Sequence, residues 1–460
     1  MFKNNDNSKK IVAKLRENRY EAYLVGGCIR DTLLNQRPHD IDIATNASVE
    51  EIMKIFGKNA IPTGIDYGTI TVIVDDEAYE ITTYRKENYS DKDKRRPSSI
   101  EAASTIQEDL SRRDFTINAM AYNEEQGLID PYGGAYDLMN HRLKCVGDPI
   151  KRLNEDRLRI LRGYRFAVTL DLQIEEQTEA AMKSMLPFIC SCSKERIIHE
   201  LDKIFRASVS RAGLETLFSS ILPVIFPELA ACIGFDQKNP HHSKTLDQHL
   251  IDTILNVDEF YEKHQEEYEW LNPIEDMKFA ALFHDIAKPH TQSFDESGTA
   301  HYYHHAEKSA EMAEQIFRDF HFSKQRSIQI QALIKNHQIQ WPEKIQNLRK
   351  TVYKRTESVC LNLLVFQLCD KKSHEGSDAS SYELTQLLKL IPELKQDPAM
   401  LESGKKQVQI TGRDVMEILD LVPGIEVRKV LEQIKDEILE GTLRNDRNQI
   451  RRRLFEMKGQ

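Results

Sequence analysis

The strongest constraint on this chain is a change of hydrophobic period near Pro149. Before it, short apolar runs are punctuated by glycines and acids, as strands and turns are. Ala22–Val25 reads as a compact strand broken by Gly26-Gly27, with a helix over 28–34 behind it. Residues 40–44 alternate acid and apolar side chains, which predicts a strand. Ser48 and Glu51 form a capping box for a helix over Val49–Phe56. Thr69–Val74 and residues 79–84 are β-rich and separated by Asp75-Asp76-Glu77, a hairpin. After Pro149 strand signals nearly vanish. Helical spacing runs through 150–168, 175–185, 194–205, 211–218, 246–259, 276–286, 306–320 and 324–336, and two or three more helices fall in 409–455. The expectation is an α+β chain, with a small α/β head followed by a long all-α body.

A chain of 460 residues is too long for one core. The divisions expected are a head over 1–145, a helical neck over 146–215, a central helical module over 216–378 and a helical tail over 379–460. Hydrophobic content of 40% and charged content of 30% exclude a disordered chain. No apolar run is long enough for a bilayer span, and the polar start Met1-Phe2-Lys3 lacks a signal-peptide core, so the expected location is the cytoplasm. Seven cysteines, an odd number without a CxxC pair, argue against a disulfide framework or zinc ribbon. Net charge is −10, yet nucleic-acid binding needs only a local basic stripe, and 92–96, 157–165, 349–355 and 444–453 are basic clusters.

The glycine pair after the first strand lets backbone N–H groups approach a phosphate. Arg30, a helical turn later, can clamp a triphosphate oxygen. Asp40 and Asp42 stand two apart in the next expected strand, where such positions share a face. Two adjacent carboxylates repel and suit a pair of Mg²⁺ ions that activate a hydroxyl and stabilise departing pyrophosphate.

Leu24-Val25-Gly26-Gly27-Cys28-Ile29-Arg30-Asp31 with Asp40-Ile41-Asp42 resembles the signature of the class II polymerase-β-like nucleotidyltransferases. Three further segments resemble the tRNA CCA-adding and bacterial poly(A) polymerase branch. They are Arg112-Arg113-Asp114-Phe115-Thr116-Ile117-Asn118, Asp130-Pro131-Tyr132-Gly133-Gly134, and residues 155–167 from Glu155-Asp156-Arg157 onward. The likeness covers residues 20–205, with Ile410-Thr411-Gly412-Arg413-Asp414 and Pro423-Gly424 resembling the family's tail more loosely. It implies Asp40 and Asp42 as catalytic metal ligands, and Gly26, Gly27, Arg30, Arg113, Asp114, Asp156, Arg159, Arg162 and Arg165 around the nucleotide. Asp156, Arg159, Arg162 and Arg165 recur at three-residue spacing on one expected helix, so neighbours share a face. Asp156 and Arg159 together offer donors and acceptors that can match a base edge without a template strand. Arg162 and Arg165 suit phosphate, Arg113 and Asp114 ribose or phosphate, and Asn118 a supporting role. The polar stretch 85–97, with Arg85, Asp91, Arg95 and Arg96, resembles the flexible loop of enzymes that add the terminal A.

A second constellation lies in the helical body. An adjacent His284-Asp285 ending an apolar helix is costly to bury without a cation or hydrogen bonds. With His249 before it and His305, His337 and Asp370 after it, the order resembles the HD phosphohydrolase superfamily. Imidazoles with carboxylates favour Mn²⁺, Ni²⁺, Fe²⁺ or Zn²⁺. His304, adjacent to His305, is an alternative ligand, and Lys288 is a candidate for neutralising a substrate phosphate. The resulting expectation is CCA addition to tRNA from CTP and ATP, with a metal-dependent phosphohydrolase on the same chain. The alternatives are A-only addition, poly(A) polymerase, a phosphohydrolase with a degenerate RNA-binding head, and a non-catalytic RNA-binding protein.

Overall fold

The computed structural model describes residues 6–38, 40–65, 68–88, 99–238, 244–264, 270–342, 344–355, 357–374, 378–394 and 408–458. They form two compact units, Met1–Pro227 and Glu228–Gln460.

The first unit is built on a seven-stranded sheet. In spatial order its strands are Ala60–Gly64, Thr69–Val74, Glu77–Thr83, Asp42–Thr45, Ala22–Val25, Ala121–Asn123 and Gly127–Ile129. Asp42–Thr45 and Glu77–Thr83 pair in parallel, and the other neighbours are antiparallel. Ala22–Val25 is apolar throughout because both its faces are covered. Ala22 and Leu24 join Ile11, Leu15, Ile43, Ile52 and Ile70 on one side, while Tyr23 and Val25 join Ala44, Tyr84, Ile106 and Leu110 on the other. Alternating side chains along one strand therefore feed two cores. The expected hairpin forms with Asp75-Asp76 at its tip, both at positive φ, as a two-residue primed turn requires. The Ser48/Glu51 capping box also forms.

Two sequence expectations need correcting here. The helix expected over 150–168 is two helices, Pro149–Glu155 and Leu158–Thr169, with Asp156 between them in an extended conformation. The body is also not wholly helical. Arg142–Leu143 pairs in parallel with Gln173–Ile174, and Ser293–Phe294 pairs with Ala300–His301. Each ladder spans two residues per strand, below the length at which alternation is readable in sequence.

In the second unit, Ile274–Phe283 runs among Leu246–His264, His305–Asp319, Lys324–Asn336 and Glu357–Lys372. Every residue from Glu275 to Phe283 is buried, so this helix has no solvent face. It ends at His284, which delivers the His-Asp pair to the interior. A separate apolar cluster gathers Val415, Ile418, Ile434, Ile438, Ile450 and Leu454 in the tail. There the Thr411-Gly412-Arg413-Asp414 motif is a capping box whose Asp414 also binds Arg447 at 2.9 Å.

Candidate active site and candidate metal centre

Val25 lies opposite Asp42 across the antiparallel pair, so the chain turns away at Gly26 beside the first residue of the Asp42 strand. Gly26 has φ +76° and ψ −131°, a backbone conformation that side chains with a Cβ rarely adopt, and its missing Cβ leaves room for Arg113 Nη1. Asp40 sits in a bend before the strand rather than within it. Strand alternation is therefore not what places the two carboxylates together. Both nevertheless line one cleft of about 1040 Å³, with Gly26, Gly27, Arg30, Arg85, Arg113, Asp114, Asp156, Arg159, Arg162 and Arg165. Arg85, expected in a loop, instead opens the strand Arg85–Asn88, which pairs with Ser99–Ala102, while Asp91, Arg95 and Arg96 lie outside the described residues. Burial raises the Asp42 carboxyl above its ordinary range. Arg113 opposes that rise, while Glu80 and Asp40 add to it. Asp40 and Asp42, two carboxylates lining the same cleft, are the residues there that would suit a divalent cation.

The cleft's other charges are paired among themselves. Arg30 binds Asp31 through Nε at 2.8 Å and Asn118 Oδ1 through Nη1 at 2.7 Å. Asp114 is buried and accepts from Arg162 Nη2 at 2.6 Å. Burial would raise its carboxyl, but Arg162 and Arg159 hold it well below the carboxylate range. Arg165 binds Glu200 at 2.6 Å and lies over the Phe166 ring, 4.0 Å from its centroid. Asp156 and Arg159 both line the cleft but do not share the helix face that their three-residue spacing predicts, and their side chains are not bonded to each other. Asp156 accepts from Arg196 Nη2 at 2.7 Å, whereas Arg159 binds Glu155 at 2.8 Å and the Arg112 carbonyl at 2.9 Å. The helix break explains this, because Asp156 precedes the helix that carries Arg159.

The second unit brings together all six residues singled out there. His249 Nε2 and His284 Nε2 are 3.1 Å apart, and Asp285 Oδ2 is 3.3 Å from each. Asp370 Oδ1 is 3.2 Å from His249 Nε2 and 3.4 Å from His284 Nε2. On the other side of the same carboxylate, Asp285 Oδ1 is 3.1 Å from His305 Nε2 and 3.6 Å from His337 Nε2. In each of these four rings Nδ1 is engaged away from the centre. His284, His305 and His337 donate it to the carbonyls of Ala281, Tyr302 and Ile334, and His249 meets Ser373 Oγ at 2.7 Å. Four anchored rings thus turn Nε2 inward, which is how histidines are oriented for a metal. Asp285 Oδ1, His305 Nε2 and Asp370 Oδ1 are buried without a hydrogen-bond partner, so the donor set fits a bound cation. Burial would lower the His284 pKa, yet Asp285 and Asp370 raise it to about 10, which marks a position that favours positive charge. Lys288 Nζ lies 2.7 Å from Asp285 Oδ2. His305 is the buried partner of this cluster, while the adjacent His304 is an exposed N-cap residue at φ 59°.

Comparison with known proteins follows this geometry. The Poly A polymerase head domain model matches residues 22–144. The model of the probable RNA and SrmB-binding site of polymerase A matches 171–233, and the HD domain model matches 247–374. The CCA-adding enzyme of Streptococcus mutans is 30% identical over 454 residues, covering 96% of this chain and 94% of that one. The chain belongs to the CCA-adding enzyme family. The Streptococcus gordonii member is 43% identical over 219 residues, and this match spans about half of its length, 54%. The Bacillus stearothermophilus CCA-adding enzyme, solved in complex with CTP, shares the fold with TM-score 0.72 and 23% identity over 98% of this chain and 97% of that one. Among the described residues no helix is long and apolar enough to cross a membrane.

Family membership does not by itself expose several residues that shape the two sites. Glu80 faces Asp42 only through the parallel register of two strands, which sequence does not carry. Asp109 is buried and binds Arg113 Nη2 at 3.2 Å, and the (i, i+4) spacing could have flagged it. Arg196 and Glu200 approach the cleft from the helix Lys194–Arg206, far along the chain from their partners Asp156 and Arg165. His374 joins His249 and Asp370 as a possible ligand group, one helical turn beyond Asp370.

Proposed function

We propose that this member of the CCA-adding enzyme family adds C, C and then A to the 3′ end of tRNA from CTP and ATP. The observation that carries this is the joining of Asp40 and Asp42 in a single cleft with a set of arginines that includes Arg30, Arg113, Arg159, Arg162 and Arg165. The near full-length likeness to a CCA-adding enzyme supports it. In each step the tRNA 3′ oxygen bonds to the α-phosphorus, the bond to the bridging oxygen breaks, and pyrophosphate leaves. Asp40 and Asp42 would hold Mg²⁺, which supplies charge neutralisation for the attacking and leaving oxygens. Gly26 and Gly27 leave the backbone open to the triphosphate, and Arg30, Arg113, Arg162 and Arg165 provide its counter-charge. Asp114 orients Arg162, while Asp156 and Arg159 read the base edge. Residues 1–145 carry the chemistry, 146–215 select the nucleotide, 216–378 form the phosphohydrolase and 379–460 bind tRNA. The test presents tRNA lacking its 3′ end, ending in C, and ending in CC, to CTP and ATP separately. C addition to the first two and A addition only to the third is the expected pattern. A added to the third with no C added to the first two would replace this reading with A-only addition, and A added to all three with poly(A) synthesis.

The unpaired buried donors of the second unit favour a second activity, hydrolysis of a phosphoester such as the 2′,3′-cyclic phosphate of a damaged RNA end. Water adds to phosphorus, the bond to the 3′ oxygen breaks, and that oxygen takes the proton, which frees the hydroxyl the head requires. His249, His284, Asp285, His305, His337 and Asp370 would hold a transition metal such as Mn²⁺, Ni²⁺ or Fe²⁺. Such a metal lowers the pKa of a bound water and polarises the phosphate.

A further inference from the structure

At the metal centre, a pocket of about 290 Å³ is lined by the ligands Asp285, His305, His337 and Asp370 and also by His301 and Tyr303. None of the chemistry above uses these last two residues. Their rings stack, with centroids 5.6 Å apart and planes 11° from parallel. Tyr303 is 68% exposed, and an isolated exposed tyrosine would need no explanation. This one is built in. His301 ends the short hairpin strand Ala300–His301, and its Nε2 meets Asp295 Oδ2 at 2.9 Å. The Ala300 N–H donates to the Lys238 carbonyl at 2.9 Å. Between them in sequence is Tyr302, whose hydroxyl accepts from Gln292 Nε2 at 3.0 Å. Its carbonyl accepts from Nδ1 of the ligand His305 at 2.6 Å. The backbone that carries the stacked pair therefore also anchors a candidate metal ligand, and the flat face lines the same pocket as that ligand.

We propose that Tyr303, stacked on His301, is a base-binding platform that restricts the phosphohydrolase centre to nucleotides and RNA ends. This rests on the phosphohydrolase reading given above. A flat, exposed π-face held beside a phosphoester centre matches a nucleobase one ribose away from its phosphate. Stacking of this kind accepts any base, because every base has a π-face. A peptide or a base-free phosphate would gain little from it.

The experiment uses the full chain loaded with Mn²⁺. Hydrolysis of guanosine 2′,3′-cyclic phosphate is compared with that of glycerol 1,2-cyclic phosphate, in wild type, Tyr303→Ala and Tyr303→Phe. A guanine substrate avoids the head, which is proposed to take cytidine and adenosine nucleotides. Tyr303→Ala is expected to lower the preference for the guanosine ester on the order of tenfold, through KM rather than kcat, and Tyr303→Phe to restore it. An unchanged preference in Tyr303→Ala, or an equal loss in Tyr303→Phe, overturns the platform. Calorimetric binding of guanosine 3′-monophosphate and of ribose 5-phosphate separates this from the underlying reading. Base-dependent binding that needs Tyr303, without turnover of either ester, supports the platform and removes the hydrolase. Binding that ignores the base overturns the platform whatever the turnover.

Discussion

The cleft of the first unit and the histidine centre of the second handle charge in opposite ways. In the cleft, Arg162 is matched by Asp114, Arg165 by Glu200, Arg196 by Asp156 and Arg159 by Glu155. In the centre, Asp285 Oδ1, Asp370 Oδ1 and His305 Nε2 are buried with no hydrogen-bond partner. A pocket that substrates enter and leave must remain stable between turnovers, so its arginines rest on carboxylates that a phosphate can displace. A pocket for a resident cation holds its donors oriented and unsatisfied, because the ion itself completes them. On the functions proposed above, the difference is that between a site of exchange and a site of residence.

The largest effects test whether the two sites are independent. Asp42→Ala is expected to abolish nucleotide incorporation while leaving tRNA binding within a few fold, since the carboxylate is proposed to hold metal and not RNA. Asp285→Ala is expected to abolish phosphoester hydrolysis and release the bound transition metal while CCA addition continues. Incorporation assays, cyclic-phosphate hydrolysis and metal content are measured on both variants. Full turnover in a folded Asp42→Ala protein would break the assignment of the first site. Unaltered metal content in Asp285→Ala would return the second to a structural role.

A smaller effect sharpens the residence side. Ser373 meets Nδ1 of His249 at 2.7 Å, donates to the Asp370 carbonyl, and is not itself among the proposed ligands. Ser373→Ala should weaken metal affinity by ~10–100-fold with the same ligands still present. Metal titration followed by competition with a chelator reads this directly. An unchanged affinity would mean that packing alone orients His249.

The contrast also explains what was legible in the sequence. The six residues of the second centre were legible from their order along the chain, which resembles that of the HD superfamily, although no helical spacing is read around Asp370. His284 and Asp285 stand out as polar residues ending a helix buried on all sides. The cleft could be read only as a set of residues. Which arginine meets which acid depends on the break at Asp156 and on contacts from Lys194–Arg206, and no local pattern encodes either. Asp40 shows the same limit. It was expected within a strand, yet it lies in the bend before one and reaches the cleft all the same. Two-residue ladders such as Ser293–Phe294 with Ala300–His301 escape periodicity altogether, although this one carries His301, the ring on which Tyr303 stacks.

On the exchange side, Asp156→Ala removes a proposed base-reading group, and leaving its partner atoms unpaired typically costs ~1–3 kcal/mol. Selectivity for CTP over UTP should fall accordingly, with triphosphate binding less affected. Retained selectivity would exclude Asp156 from base reading.

The smallest expected effect belongs to Arg196→Ala, and it tests exchange most directly. The Arg196 side chain is 41% exposed, and its pair with Asp156 is of the kind that contributes about 0–1 kcal/mol. Asp156 keeps a second anchor without it, since its Oδ1 also accepts from the Leu158 N–H at 3.1 Å. If Arg196 only neutralises Asp156 between turnovers, its loss leaves the carboxylate in place and free for a base. Arg196→Ala should then melt within a few degrees of wild type and keep CTP-over-UTP selectivity within a few fold, well short of the loss in Asp156→Ala. Thermal unfolding and single-nucleotide incorporation on tRNA ending in C check the two halves. Equal loss of selectivity in both variants would mean that Arg196 itself reads the base. A large drop in melting temperature would mean that the pair holds the neck together, and the cleft would then be more rigid than a site of exchange allows.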